Sequence, residues 1–315
     1  MIRKWVVVLN YNVAAHCVRL LESLWPLADI GIFFVDNGSA PADYAILRDA
    51  CVQRQALLVE DEGGSGADQI ASRLASGAAL ALVRNRANLG YSGGNNTAIR
   101  MLDPLLGQSG EYLIVNPDVF ITEATARALL DCDAELCGPA IYEHWSGQIA
   151  TQGLCVDFGT GFPSKTPVDY PGISTLHGSC LKLSGRALQK YGFLPEENFL
   201  YEEEMKYFER VHRLGGNPVY LRELQVEHIG KASTVKLSYR YFYYIFRNRL
   251  CYFLEIAGPH YRRHGKFALL YLDWTWDVVR SQARKRNWAG IRGQIRGIRD
   301  GFRRVKGPMP GDAQE

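Results

Sequence analysis

An α/β fold with a mostly parallel central sheet is what the first 120 residues predict, on three observations. Short apolar, largely β-branched or aromatic runs recur at 6–9, 30–35, 79–83 and 112–115, the pattern of strands buried on both faces. Helical spacing separates them: Val18, Leu20, Leu21 and Leu24 within 14–24, then segments near 43–53 and 95–102. Polar residues cluster just past each strand, as Asn10-Tyr11-Asn12, Asp36-Asn37, Arg84 to Asn88 and Asn116-Pro117-Asp118. Alternating strands and helices imply right-handed βαβ units, and such sheets bind ligands outside the carboxyl ends of their strands.

Beyond this half, 174–183 reads as a strand and 184–190 as a helix. A helix over 202–214 stops at Gly215-Gly216, and short strands follow at 219–221 and 225–228. From about 236 the chain becomes aromatic and helical. Phe267 to Arg280 is amphipathic, and Ile291, Ile295, Ile298 and Phe302 recur at helical spacing with arginines between them. The expected organisation is therefore a domain over 1–235, a basic helical module over 236–306 and a disordered tail over 307–315.

The chain has 315 residues and an ordinary composition, 47% hydrophobic and 22% charged. Its net charge of +3 hides an asymmetry: residues 1–230 sum to −9 and residues 231–306 to +14. A basic module on an acidic body points to an anionic partner, such as a membrane surface. Packing on the body or a homodimer interface is the equally open alternative. Nucleic acid ranks last, because the body would repel phosphate and no reading motif is present. No apolar run reaches the ~20 residues of a spanning helix. The seven scattered cysteines lack metal spacing, and Cys132 and Cys137 read as core thiols, as suits a reducing cytoplasm.

Four motifs carry chemistry. Asp36-Asn37-Gly38-Ser39 puts an acid at a strand tip, where it can accept from a nucleoside, although the same residues make an ideal turn. Asn88 to Asn96, with Gly90, Gly93 and Gly94, is a glycine-rich loop opening a helix, suited to an anion but without the Walker lysine. Asp118 could hold a divalent ion, with His228 as a nitrogen ligand, although a lone histidine is more often a packing residue. Glu202-Glu203-Glu204 lies between aromatic and apolar residues, where paired carboxyls raise one another's pKa as a base near neutral pH requires. Helical periodicity keeps the three from pointing one way. One or two face a site; the others meet solvent, Lys206 or Arg210.

In this order and spacing, over about residues 4–250, the motifs resemble the inverting GT-A glycosyltransferases of family 2, and among them the bacterial rhamnosyltransferase-like branch. Val8 to Asn12 is similar to the family's opening strand and nucleotide turn, and Asp36 to Ser39 to its "VDNGS" element. Asn88 to Asn96 is similar to "NxGfaggnN", and Asn116-Pro117-Asp118 to the "NPD" that stands for DxD in this branch. His177 to Leu181 resembles the acceptor-side strand, Phe193 to Arg210 the segment carrying the "ED" pair, and His228, Gly230 and Ser233 "HxxxxS". The chain departs from the pattern where Glu204 replaces the usual Asp, Lys206 the second Asp of "EDxD" and Glu196-Glu197 "DE", and where about 61–78 are inserted.

The resemblance implies a GT-A fold: a Rossmann-like sheet with flanking helices, a nucleotide-sugar half over about 1–120 and an acceptor half over about 121–235. It implies Glu204 as general base, with Glu203 supporting it and Glu202 an exposed bystander. Asn10, Tyr11, Asn12, Asp36, Asn37, Arg86, Asn88, Gly90, Asn95 and Asn116 would meet the donor nucleotide, with Arg84 or Arg86 adding charge. Gly178, Ser179 and Arg210 would meet the sugars, and Asp118 with His228 would hold Mg²⁺ or Mn²⁺. The expected reaction moves a sugar, rhamnose from dTDP-rhamnose first, to a hydroxyl of a surface glycan or lipid-linked oligosaccharide. It would run in the cytoplasm or at the inner face of the cytoplasmic membrane. A UDP-hexose donor, or a non-catalytic subunit that binds sugar nucleotide or glycan, are the alternatives.

Overall fold

The computed structural model describes residues 1–27, 29–60, 74, 77–144, 149–151, 154–157, 163–164, 172–230, 239–257, 264–310 and 312. The inserted segment expected near 61–78 falls largely outside them, as does Ser233. In chain order the first half comprises β1 (Lys4–Asn10), α1 (Ala14–Leu24), β2 (Ile30–Asp36), α2 (Pro41–Val52), β3 (Leu57–Glu60), β4 (Leu80–Arg84), α3 (Gly90–Leu106), β5 (Glu111–Val115) and β6 (Val119–Phe120). Then come α4 (Glu123–Asp131), β7 (Leu136–Glu143), β8 (Ile149–Thr151), β9 (Leu154–Asp157), β10 (Pro163–Ser164), β11 (Gly172–Thr175), β12 (Cys180–Ser184), α5 (Gly185–Tyr191), α6 (Glu203–Arg213) and β13 (Val219–His228). The C-terminal module is α7 (Tyr239–Tyr252), a π-helical turn (Phe253–Ala257), α8 (His264–Arg284) and α9 (Trp288–Phe302).

The main sheet runs β3-β4-β2-β1-β5-β12-β7-β13-β6, with β8 pairing β7. Its first five strands are parallel, β12 runs antiparallel to both neighbours, and β13 is again parallel to β7. This is the Rossmann-like, mostly parallel sheet with flanking helices that the sequence predicts. Alternate residues of the central strands feed two cores. Val6, Val8, Ile32 and Phe34 face Leu20, Leu21, Leu47 and Leu129 of α1, α2 and α4. Trp5, Val7, Phe33 and Ile114 face Ile99, Leu102, Leu188 and Phe208 of α3, α5 and α6. Both faces are covered, which is why these strands read as continuous apolar runs.

Phe242, Phe246 and Leu250 of α7 belong to the second of these cores. The basic module is therefore packed on the body through α7. Its last helix meets α7 through glycines: a side chain at Gly293 or Gly297 would overlap the carbonyl of Tyr239 or Tyr243. Among the described residues no helix is long and apolar enough to cross a membrane.

Several expectations shift. The strand expected over 174–183 is two strands, β11 in a small antiparallel sheet with β9 and β10, and β12 in the main sheet. The turn between them carries His177 and Gly178. The two strands expected over 219–228 are one, β13, with an irregular register between Leu221 and Gln225. The tail expected to be disordered is packed where it is described. Met309 and Asp312 are buried, Tyr244 donates to Asp312 at 2.5 Å, and the Gly307 N–H donates to Glu197 at 2.7 Å. An acid at 312 meets Arg240 at 2.8 Å, a charge partner the local sequence does not display. Cys17, Cys51, Cys137, Cys180 and Cys251 are buried free thiols, and Cys132 is half-buried.

Candidate active site

The strand tips form one polar wall. Asn10 is fully buried, and its amide donates to Asp36 at 2.8 Å, Asp43 at 2.9 Å and Ser39 at 3.1 Å. Asn12, in the left-handed region at φ 57°, accepts from the Ala40 N–H at 2.8 Å. Asp36 is also fully buried; burial raises its pKa above the ordinary carboxylate value, while Ser39, Asn10 and Arg84 oppose this. Arg84 lies 3.4 Å from Asp36, so its charge is engaged in the wall, whereas Arg86 is exposed. Asn37 donates to Asn88 at 2.9 Å and to the Gly90 carbonyl at 3.1 Å, and accepts from Asn85 and the Leu89 N–H. Asn10, Asp36, Asn37 and Asn88 thus spend their side chains shaping the wall. Tyr11 and Asn116 are half-buried beside it. Asn95 donates to Tyr91 at 2.9 Å, and its buried carbonyl oxygen has no partner.

The glycine-rich loop touches the acidic segment directly. The Tyr91 N–H donates to the Phe199 carbonyl at 3.0 Å, and at Gly90, with φ +75°, a side chain would overlap that carbonyl. Leu194 closes a second bridge, its carbonyl accepting from Asn96 at 2.8 Å. Phe199, Tyr201 and Glu202 all hold φ between 67° and 69°, left-handed backbone costly for residues other than glycine. Module side chains hold this loop. The Asn248 amide donates to the carbonyls of Asn198, Leu200 and Tyr201 at 3.1, 2.6 and 3.0 Å, and Arg247 donates to Asn198 at 2.7 Å.

The three glutamates then separate. Glu202, expected to be an exposed bystander, is instead buried and pairs with Arg249 at 2.6 Å, because its left-handed backbone turns it toward α7. Glu203 is buried, with one carboxylate oxygen unpartnered. Burial, then the neighbouring Glu204 and Glu202 charges, holds its pKa well above the ordinary value. Glu204 is half-buried and rests against Gly178, whose N–H donates to it; burial and the Glu202 charge raise its pKa as well. Tyr91 lies over the same place, donating to the Gly178 carbonyl at 2.5 Å.

Asp118 and His228 meet at 3.2 Å at the ends of neighbouring strands. The His177 ring stands 5.6 Å from that of His228, edge to face, and its Nδ1 lies 2.7 Å from the Ser179 hydroxyl. Arg19 braces the turn from behind, donating to the Pro117 carbonyl at 2.9 Å and the Val119 carbonyl at 3.3 Å. One oxygen and one nitrogen donor suit a Mg²⁺ or Mn²⁺ whose remaining positions go to phosphate and water. Among the described residues no cluster of three or more such donors exists.

The turn His177-Gly178-Ser179 therefore joins the two halves of the site: Gly178 touches Glu204, while His177 flanks His228 and the Ser179 carbonyl accepts from the Asn116 N–H at 2.8 Å. Arg210, expected at the sugars, donates instead to the Phe193 carbonyl beneath the acid helix. Sequence reasoning missed Tyr91, Arg19 and the metal-side position of His177. Only the place of Tyr91 within the glycine-rich loop signalled it. A cavity of about 670 Å³ lined by Arg19, Phe120, Tyr142, His144 and Glu227 includes none of the expected site residues.

No family model matches the chain. It is 28% identical over 210 residues to the low-salt glycan biosynthesis hexosyltransferase Agl10 of Haloferax volcanii, covering 61% of this chain and 66% of that protein. The aligned region thus spans slightly less than two thirds of the archaeal relative's length. It is 24% identical over 262 residues to the N-acetylglucosaminyl-diphospho-decaprenol L-rhamnosyltransferase of Mycobacterium tuberculosis, covering 73% of this chain and 76% of that protein. A mannosyltransferase of Pyrobaculum calidifontis, solved with GDP-mannose and Mn²⁺, superposes with a TM-score of 0.49 at 13% identity, over 95% of this chain and 87% of that one.

Proposed function

We propose that the chain is a GT-A, inverting glycosyltransferase that moves a sugar from a nucleoside diphosphate to a hydroxyl of a glycan or lipid-linked glycan. The observation that carries this reading is the His177–Ser179 turn, which sets a carboxylate of raised pKa beside an Asp–His pair at the carboxyl edge of a parallel sheet. The names of the two relatives support the same reaction class.

Glu204 is the base: it is half-buried, fixed by the Gly178 N–H, and its pKa is raised above the ordinary carboxylate value, the direction a general base requires. It takes the acceptor hydroxyl's proton as that oxygen bonds to the anomeric carbon. The bond from that carbon to the diphosphate breaks, and its electron pair leaves with the nucleotide. Glu203, whose pKa burial and the neighbouring Glu204 raise well above the ordinary value, supports the base by favouring the state in which Glu204 carries the charge of the pair. Asp118 and His228 would hold the divalent ion, which supplies charge neutralisation on the departing diphosphate. The wall of Asn10, Asp36, Asn37 and Asn88 receives the nucleoside, and Tyr91 and Ser179 border the sugars.

Rhamnose from dTDP-rhamnose is the first donor to test, prompted by the mycobacterial relative's name; a UDP-hexose is second, prompted by the archaeal one. The test is nucleoside diphosphate release across a donor and acceptor panel, for wild type, Glu204→Gln and Asp118→Ala. Turnover by wild type that both variants retain would remove the assigned roles. Donor binding without turnover on any acceptor would leave a binding subunit.

A further inference from the structure

The last helix faces the wrong way for a core helix. At ~100° per residue, Gly290, Gly293, Gly297 and Gly301 of α9 form one face, and this face packs on α7. On the opposite face Trp288, Arg292, Ile295, Arg299, Phe302 and Arg303 fall within about 100° of one another. Trp288, Ile295 and Phe302 are 63%, 61% and 66% exposed. Large apolar side chains at two-turn spacing, turned out to solvent while glycines face in, are unexplained by the packing of this chain.

The chemistry of the stripe selects its occupant. It contains no acid; the acid of this helix, Asp300, is buried against Tyr243 at 3.1 Å. Among the described residues Arg292, Arg303 and Arg304 are exposed and form no ion pair. A second copy docking the same stripe would set arginine against arginine. Helix α8 also exposes Leu269, Leu272 and Trp276, but with Asp273 and Asp277 among them. Tryptophan and phenylalanine interleaved with arginines, over ~21 Å of helix, suit the boundary between headgroups and acyl chains.

We propose that the outer stripe of α9 is an interfacial membrane-docking surface for anionic lipid, with Trp288, Ile295 and Phe302 entering the acyl boundary and Arg292 and Arg303 meeting lipid phosphates. It does not rest on the transferase reading. The experiment is flotation of the full chain with vesicles of phosphatidylcholine alone and with one third phosphatidylglycerol, at low and high salt. The protein is expected to float with the anionic vesicles and to be released by salt. Arg292→Gln with Arg303→Gln should lower the partition coefficient about 30-fold. Trp288→Ala with Phe302→Ala should lower it at least about tenfold, with thermal melts unchanged because both side chains point outward. Equal binding to neutral vesicles, no binding to either, or undiminished binding by both variants overturns the proposal. So does a lipid-free dimer in sedimentation that the Trp288/Phe302 variant abolishes, since the stripe is then a self-interface.

Discussion

Replacing Asn248 by alanine should separate activity from stability. Its side chain lies about 47 residues along the chain from the loop it holds, yet its amide serves three loop carbonyls at 2.6–3.1 Å and it is almost fully buried. The amide has two N–H hydrogens to share among these carbonyls, and at about 0.5–1.5 kcal/mol for each they contribute about 1–3 kcal/mol. Three left-handed residues, Phe199, Tyr201 and Glu202, hold about 3–6 kcal/mol of strain, at 1–2 kcal/mol per residue. The two quantities are comparable, so without the amide the loop relaxes toward ordinary dihedrals instead of unfolding the domain. Relaxation recovers part of the loss, and urea melts should show at most about 2 kcal/mol of destabilisation. The first turn of α6 shifts with the loop, carrying Glu203 and Glu204. A displacement of about 1 Å at a base costs on the order of 100-fold in rate. Nucleoside diphosphate release should therefore lose kcat by about that factor while donor KM stays near wild type. Wild-type kcat in a variant that is measurably destabilised would refute the reasoning, because the loop would then hold its shape without Asn248.

Glu203→Gln should change the pH dependence of stability. The folded pKa of Glu203 is raised, so the native state holds its proton above pH 4.5 while the unfolded chain releases it; stability falls as pH rises through that interval. The variant should lose the Glu203 part of this fall, keep the part due to Glu204, and exceed wild type at pH 8 in urea midpoint; an identical decline in both proteins would contradict it. Arg249→Met strands the buried Glu202 carboxylate and should cost about 3–5 kcal/mol, much of it restored in the double variant with Glu202→Gln. Equal melting of single and double variants would dissolve that pairing argument. Gly90→Ala places a side chain on the Phe199 carbonyl at φ +75° and should impair folding, as yield and melting temperature would show. Gly178→Ala meets only the far ends of the Glu204 and Tyr91 side chains, so it should fold normally and lose at least about tenfold in kcat. Activity near wild type would place the reacting groups elsewhere.

The sheet was legible because each central strand is buried on both faces and is followed at once by polar residues, so fold and site share contiguous motifs. Asp36-Asn37 and Asn116 to Asp118 lie where their strands end. What was hidden is long-range. Nothing near Glu202 indicates Arg249, and nothing near the loop indicates Asn248. The inner face of α9 was hidden for another reason. Apolar periodicity points to Ile295 and Phe302 as the packed face, but close backbone approach uses glycine, which carries no hydrophobic signal. Asp312 was hidden likewise, because a terminal acid looks solvated until Arg240 and Tyr244 are seen around it.

The longer carboxylate at 204 has to be accommodated by the packing around it. A glutamate where the resembling family has aspartate carries its oxygens one methylene farther from the helix, and that length must go somewhere. Here it ends against Gly178, where a side chain on residue 178 would occupy the space of the Glu204 carboxylate. The same glycine donates its N–H to that carboxylate and accepts the Tyr91 hydroxyl on its carbonyl, so Tyr91 holds the glycine that holds the acid. Lys206 does not replace the lost acid in the site, since it turns away to Glu197 at 3.0 Å and Glu255 at 3.6 Å and ties the acid helix to the C-terminal module. A Glu204→Asp variant would then withdraw its carboxylate from Gly178. The two departures from the family pattern on α6 thus act in opposite directions: one extends toward the Gly178 turn, the other anchors the helix from behind.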